Sequence, residues 1–299
     1  MPLGLVTGLG AAVAWGTLDL LIALATRRVG SLRVTAGMQL VGAALVIAIV
    51  VITGTTLPSD PFVLLGGALV GLAGAGAYLS YFTGLRIGPI AVVSGVVAAY
   101  GGLTVVLAVL LRGETLSPLQ ALGALLATIG VVLTGISFEH GSRARFASPG
   151  VIFAVVALVL FASMSIGADI VIDRAPWLTV LLVTRTSNAI LSVVILIVAS
   201  TALRRRSGPL LATDPGTPAG AQMRVVPAVA IAGTLDVLGL MAFAYGLEHA
   251  ETWLVGLASS FGPAVTIVAA VALLGERLRA IQWVGLAAVL AGLIAIAVS

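Results

Sequence analysis

LRGETLSPLQALGALLATIG, residues 111–130, and LLGERLRAIQWVGLAAVLAG, residues 273–292, are two copies of one passage. Gly113 and Gly275, Glu114 and Glu276, Leu116 and Leu278, Gln120 and Gln282, Gly123 and Gly285, Gly130 and Gly292 each lie 162 residues apart, with no gap needed. Extended to 84–131 against 246–293, this register gives fourteen identities in forty-eight positions. Matching Leu and Val means little in so apolar a chain, but the scarce Glu and Gln falling in register mark a duplication. Upstream the copies match more weakly, with Trp15 opposite Phe161 and Arg28 opposite Arg174 at a separation of 146.

The passage lies in a chain of 299 residues, 60% hydrophobic and 9% charged, with mean hydropathy +1.22. That leaves too little polar surface to cover a soluble globule, so the chain belongs in a lipid bilayer. There is no Cys, and the two histidines, His140 and His249, cannot form a His cluster. No metal site or cofactor is therefore expected. All fifteen basic residues are Arg. They lie mostly between apolar runs, as orientation signals in a membrane protein do, and nucleic-acid binding is not expected. MPLGLVTGLG lacks a basic n-region and a cleavage site, so the first apolar run reads as a retained helix.

A bilayer core of roughly 30 Å needs about 20 apolar residues as helix. Ten such runs emerge, at about 3–25, 34–53, 62–85, 89–111, 118–137, 149–170, 177–200, 226–247, 252–274 and 280–298. Gly, Pro and Ser separate them, as in RIGP, RGETLSP and FEHGSRARFASP, and the long connection 204–224 reads as an aqueous loop. The expected fold is an all-α membrane protein of ten transmembrane helices in two five-helix repeats, residues 1–137 and 149–299, joined by a linker at 138–148. An odd number of crossings sends the second copy in from the opposite face, so the repeats are inverted and enclose a shared cleft.

AWGTLD at 14–19, GLRIGPIAVV at 84–93, GLEHAETWLV at 246–255, SSFGPAVT at 259–266 and the doubled G-E-x-L-x-x-x-Q resemble the drug/metabolite transporter superfamily, in its ten-helix EamA-like branch. The resemblance covers nearly the whole chain. It implies a secondary transporter, often an exporter of amino acids, other metabolites or drugs, with a central cavity, in a prokaryotic-type plasma (inner) membrane. Two features depart from the family. Gly101 stands where the match to Pro263 often has Pro, and the Arg distribution disagrees with the family's cytoplasmic termini. Connections after spans 1, 3, 5, 7 and 9 hold twelve Arg, whereas those after spans 2, 4, 6 and 8 hold only Arg112 and Arg174, which places both termini outside.

Candidate site residues follow from the cost of polarity in lipid. Asp236 lies near the centre of span 8, where an ionised Asp costs about 2.5–3.5 kcal/mol, so it should face a cavity as a ligand for a substrate amine or a proton carrier. The competing role is a protonated or paired acid that locks helices together. Asp19 shares a helical face with Trp15, four residues earlier, pairing a polar contact with an aromatic wall, or else both are interfacial anchors. Arg185, with Asn188 on the same face of span 7, requires an acid such as Asp236 or Asp19, a carboxylate-bearing substrate, or a route for snorkelling. Tyr78, Tyr81, Tyr100, Ser259 and Ser260 complete the candidate substrate-binding set, with Tyr245 able to line the route or anchor an interface. Gly262 and Pro263 in span 9, and Gly101 and Gly102 in span 4, are candidate gate or hinge residues, since Pro frees a backbone carbonyl and allows a bend. Glu114 and Glu276 are placed to cap the helix that follows each. Small residues such as Gly67, Gly71, Ala75 and Gly285, Ala288, Gly292 read as close-contact faces.

The leading expectation is a carrier rather than an enzyme: a small-molecule substrate bound among spans 1, 3, 4, 6, 8 and 9, with protons as a candidate coupling ion. A membrane enzyme acting on a lipid-linked substrate has Asp169 and Asp173 as its support, two carboxylates at the spacing of a Mg²⁺–phosphate site. A passive pore would need rings of like charge or a carbonyl filter, and the sequence shows neither.

Overall fold

The computed structural model describes residues 2–88, 90–134, 149–202, 221–262, 264–265 and 280–298. The helices are α1 (Pro2–Val29), α2 (Ser31–Thr53), α3 (Pro61–Ile87), α4 (Ile90–Ala98), α5 (Tyr100–Leu107), α6 (Pro118–Thr134), α7 (Pro149–Ile172), α8 (Trp177–Ala202), α9 (Ala221–His249), α10 (Thr252–Ser259) and α11 (Ala280–Ala297). A π-helical turn, Ala108–Arg112, extends α5. No strand occurs among the described residues. Each apolar run is helical where it is described, and α9 begins at Ala221, inside the stretch expected to be loop. Pro263, Glu276, His140, the 138–148 linker and the 204–224 loop as far as residue 220 lie outside the described residues.

Six of these segments are long and apolar enough to cross a membrane: α2, α3, Val93–Arg112, α7, α8 and Val225–His249 of α9. Shorter apolar stretches lie at Leu3–Asp19, Pro118–Leu133 and Ala280–Ile296. Their packing is lipid-type, with small residues turned inward and large ones outward. On α3, Gly67, Gly71 and Gly74 are in close contact with α8 while Leu65, Leu69 and Leu72 are exposed.

Helix ends follow local chemistry. Asp60 caps α3, accepting from Phe62 N at 2.8 Å, with Pro61 at the first helical position. Ser117 and Gln120 form a reciprocal capping box at the start of α6, with Ser117 N donating to Gln120 Oε1 at 2.8 Å and Gln120 N to Ser117 Oγ at 3.2 Å. The Gln of the duplicated passage therefore has a structural duty in its first copy. Glu114 is freed from that task. Its carboxylate instead caps α10 in the other repeat, taking Thr252 N at 2.9 Å and Trp253 N at 3.0 Å, which corrects the expectation that it caps the following helix. Gly113, at φ 68, supplies the left-handed turn that points Glu114 there.

The duplicated glycines show why the passage is written twice. A Cβ at Gly123 would lie 2.8 Å from Gly292 O, and one at Gly130 would lie 2.7 Å from Gly285 O. Each glycine thus meets the copy of the other, and α6 and α11 cross antiparallel with backbones nearly touching. The exchange recurs elsewhere: α1 packs on α9 as α3 packs on α7, α2 meets α8, and α5 meets α10. The two copies interlock around a local two-fold relation, and the space they enclose lies on the seam between them.

Candidate functional site

A cavity with about 660 Å³ of empty space, open solvent at its mouth included, lies on that seam. Its walls come from α1, α3, α4, α5, α7, α9 and the end of α10, which are the spans 1, 3, 4, 6, 8 and 9 of the sequence reading. Eight of the ten candidate residues line it: Trp15, Asp19, Tyr78, Tyr81, Tyr100, Asp236, Ser259 and Ser260. The other two, Arg185 and Asn188, line an adjoining space of about 480 Å³ that shares Tyr78, Met164 and Phe243 with the first.

Two polar networks anchor the cavity wall. In the first, Asp236, 0% exposed, is gripped by the Arg185 guanidinium through Nη2 and by Tyr78 Oη, which donates to Oδ1 at 2.6 Å. Sequence left the partner of Arg185 open; the structure makes it Asp236. Arg185 is 1% exposed, so it does not snorkel. Gly42 of α2 leaves room for the guanidinium, since any Cβ there would collide with it. In the second network, Tyr81 Oη donates to Asp19 Oδ2 at 2.8 Å and lies 3.1 Å from Ser94 Oγ. Asp19 is buried at 7% exposure in the wall of the cavity, and no cation lies in salt-bridge range of it among the described residues. The interfacial reading of Asp19 is therefore set aside.

Aromatic rings fill the space between these networks. Phe161 stands between three tyrosines, its centroid 5.3 Å from Tyr78, 6.3 Å from Tyr81 and 5.8 Å from Tyr100, and Trp15 packs on Phe243 at 5.8 Å. Tyr100 Oη lies 2.7 Å from Ser259 Oγ, bridging α5 to α10. Tyr245 is not part of this wall. It is 39% exposed, stacks on His249 at 4.2 Å and meets Trp177 edge-on, as an anchor at the bundle's end would.

The helix interruptions fall beside the predicted hinge glycines rather than on them. Between α4 and α5 the break is at Ala99 (ψ −6), whose N–H bonds back three residues to Val96 O at 3.2 Å. In the second copy α10 ends at Ser260 (ψ −2), whose N–H bonds to Leu257 O at 3.2 Å. Gly101 and Gly102 serve close packing instead, since a Cβ on Gly101 would strike Ser260 and one on Gly102 would lie 2.6 Å from Thr128. Gly262 lines the cavity.

Asp169 and Asp173 lie outside the cavity. Arg112 joins both, with Nε 2.5 Å from Asp169 Oδ2 and Nη1 2.8 Å from Asp173 Oδ2, tying the π-turn to the end of α7. Wall residues that sequence reasoning missed include Phe161, Ser165, Ser94 and Phe243. The repeat could have found three of them, since Phe161 and Ser165 stand 146 residues after Trp15 and Asp19, and Phe243 stands 162 after Tyr81. Ser94 carries no such mark.

The fold and its buried polar seam define the class: a multi-pass membrane protein made from two copies of one helical unit. The EamA-like transporter family matches it twice, over residues 2–136 and 148–298, and the chain belongs to that family, within the drug/metabolite transporter group. One solved structure, described as "Crystal structure of protein", shares the fold with a TM-score of 0.75 and 22% identity, over 99% of this chain and 96% of its own. No curated protein sequence matches the chain.

Proposed function

We propose that the chain is a secondary active transporter, an exporter of a small metabolite, amino acid or drug-like compound, working by alternating access between two inverted five-helix halves. The observation that carries this reading is the cavity itself. Both copies contribute its walls, and it gathers Asp19, Asp236 and the aromatic rings, with Arg185 held behind Asp236 in the adjoining space. Rocking one half against the other would move its opening from one face to the other.

The antiparallel α6–α11 crossing supports inversion. The ten helical runs support ten crossings. The Arg-rich connections favour a cytoplasmic position for the ends that carry Arg28, Arg33 and Arg86, leaving both termini outside. The breaks at Ala99 and Ser260, 161 residues apart and within one residue of the repeat register, are the proposed gate elements. Asp236 holds Arg185 and Tyr78 in place, which leaves Asp19 as the proposed substrate or proton ligand.

The enzyme alternative loses its main support because Arg112 engages Asp169 Oδ2 and both oxygens of Asp173. The carrier reading is tested with purified protein in liposomes by counterflow against a metabolite panel, with and without a pH gradient. Saturable exchange is expected. Flux that rises linearly with concentration and shows no counterflow would make the protein a pore.

A further inference from the structure

We infer that the cavity is built for an organic monocation, an ammonium group carried on an aromatic or aliphatic body, and that Asp19 is its counter-ion. The inference rests on the reading of this cavity as the transport site. It starts from the charges present. Asp236 and Arg185 are both fully enclosed and cancel each other, so the pair contributes no net charge. Asp19 is the carboxylate that remains, and it lines the cavity with one protein donor, Tyr81, among the described residues. A carboxylate has about four acceptor sites, so one donor leaves most of them unused. A lone buried carboxylate is costly, and either a proton or a cationic ligand removes the cost.

The walls select which cation. Trp15, Tyr81 and Phe161 line the cavity together with Asp19, and Tyr78, Phe82, Tyr100 and Phe243 add further rings, with serines and a few aliphatic side chains between them. Ring faces attract an ammonium, and their apolar surface holds the organic body behind it. A strongly hydrated inorganic ion would gain neither contact. A zwitterion or an anion fits less well, because the charge of Arg185 is offset by Asp236 and its unpartnered Nε and Nη1 belong to a side chain that lines the adjoining space, so among the described residues no cation lines the main cavity to receive a carboxylate.

The test uses three probes that share a phenyl ring: phenethylammonium, 3-phenylpropionate and phenylalanine. Binding to detergent-purified full-length protein is measured by calorimetry. Phenethylammonium is expected to bind best and 3-phenylpropionate at least tenfold more weakly, with phenylalanine in between. Asp19→Asn, checked for a monodisperse gel-filtration profile, should weaken phenethylammonium at least tenfold, and Asp19→Glu should recover part of the loss. Should Asp19→Asn not fold, the probe ranking on the unmodified protein and the Asp19→Glu variant decide the question.

Equal or tighter binding of the anion or zwitterion, no phenethylammonium binding by the folded protein, or unchanged binding in folded Asp19→Asn overturns the inference. Liposome counterflow separates this failure from that of the carrier reading. Exchange of phenylalanine without phenethylammonium binding keeps the carrier and removes the cation site. Asp19-dependent phenethylammonium binding without any counterflow does the reverse.

Discussion

Replacing Arg185 by Met leaves Asp236 enclosed with Tyr78 as its remaining hydrogen-bond partner and no compensating charge. Breaking a buried ion pair from one side costs about 3–5 kcal/mol, because the surviving charge keeps its desolvation penalty and loses its attraction. Both groups here are essentially unexposed, so the upper part of that range applies. Removing both partners, as Arg185→Met with Asp236→Leu, leaves no charge to desolvate. The double variant should recover most of the loss, so with each single variant losing about 4–5 kcal/mol the coupling energy in a double-mutant cycle is about 6 kcal/mol or more. Reversible unfolding in mixed detergent–SDS micelles measures all four corners. If Arg185→Met matches the parent within about 0.5 kcal/mol, or the double variant is no more stable than the two single losses sum to, the enclosed pair does not have the energetic role assigned to it.

Two further perturbations probe the scaffold. Gly130→Val drives a branched side chain against Gly285 O and Val289 N of α11, backbone atoms with no rotamer to yield, so a loss of about 1–3 kcal/mol and a lower folded yield by fluorescence size exclusion are expected. Parent-like stability would mean that α6 and α11 are not so close. Glu114→Ala removes two acceptors from the start of α10 and should cost about 1–2 kcal/mol in the same SDS titration, with Glu114→Gln in between; no change would show that the cap across the seam is not formed.

The bundle was legible because bilayer thickness fixes helix length and because duplication left Glu, Gln and Gly in register. Helix ends were read to within a few residues, apart from α9, where an apolarity criterion skips the polar first turn from Ala221 to Arg224. The wall residues were also legible, since Asp19, Arg185 and Asp236 are too expensive to face lipid. Their pairing was not, because sequence spacing carries no distance between α8 and α9. Nor was the destination of Glu114. Local logic sends a carboxylate to the next helix, but Ser117 already fills that place, and the nearest open N–H groups belong to the other copy. The interruptions were expected at Gly and Pro, whereas Ala99 bears no sequence signal. Gly101 and Gly102, just after it, seat α5 closely against Ser260 and Thr128.

Placing the two copies in register separates what the duplication kept from what it released. In the duplicated passage the pairs are Gly with Gly, Glu with Glu and Gln with Gln; the glycines make the α6–α11 backbone approach, and in the first copy Glu114 and Gln120 each hold a helix end. Around the cavity the pairs differ: Trp15 with Phe161, Asp19 with Ser165, Gln39 with Arg185, Gly74 with Asp236, Tyr81 with Phe243, Tyr100 with Gly262. A symmetric cavity would hold either two acids facing each other or none, and two buried carboxylates at close range repel. Divergence resolves the conflict on both axes, giving one acid of the Gly74–Asp236 pair a cation from the Gln39–Arg185 pair and leaving Asp19 opposite a neutral Ser165. The close backbone approaches are thus shared by both copies, while each charged side chain of the cavity wall belongs to one copy alone. Restoring symmetry at one position, Ser165→Asp, should therefore place a second carboxylate in the cavity wall that holds Asp19 and destabilise the fold in the SDS titration. A Ser165→Asp protein as stable as the parent at pH 8 would mean that the two positions do not share one enclosed space.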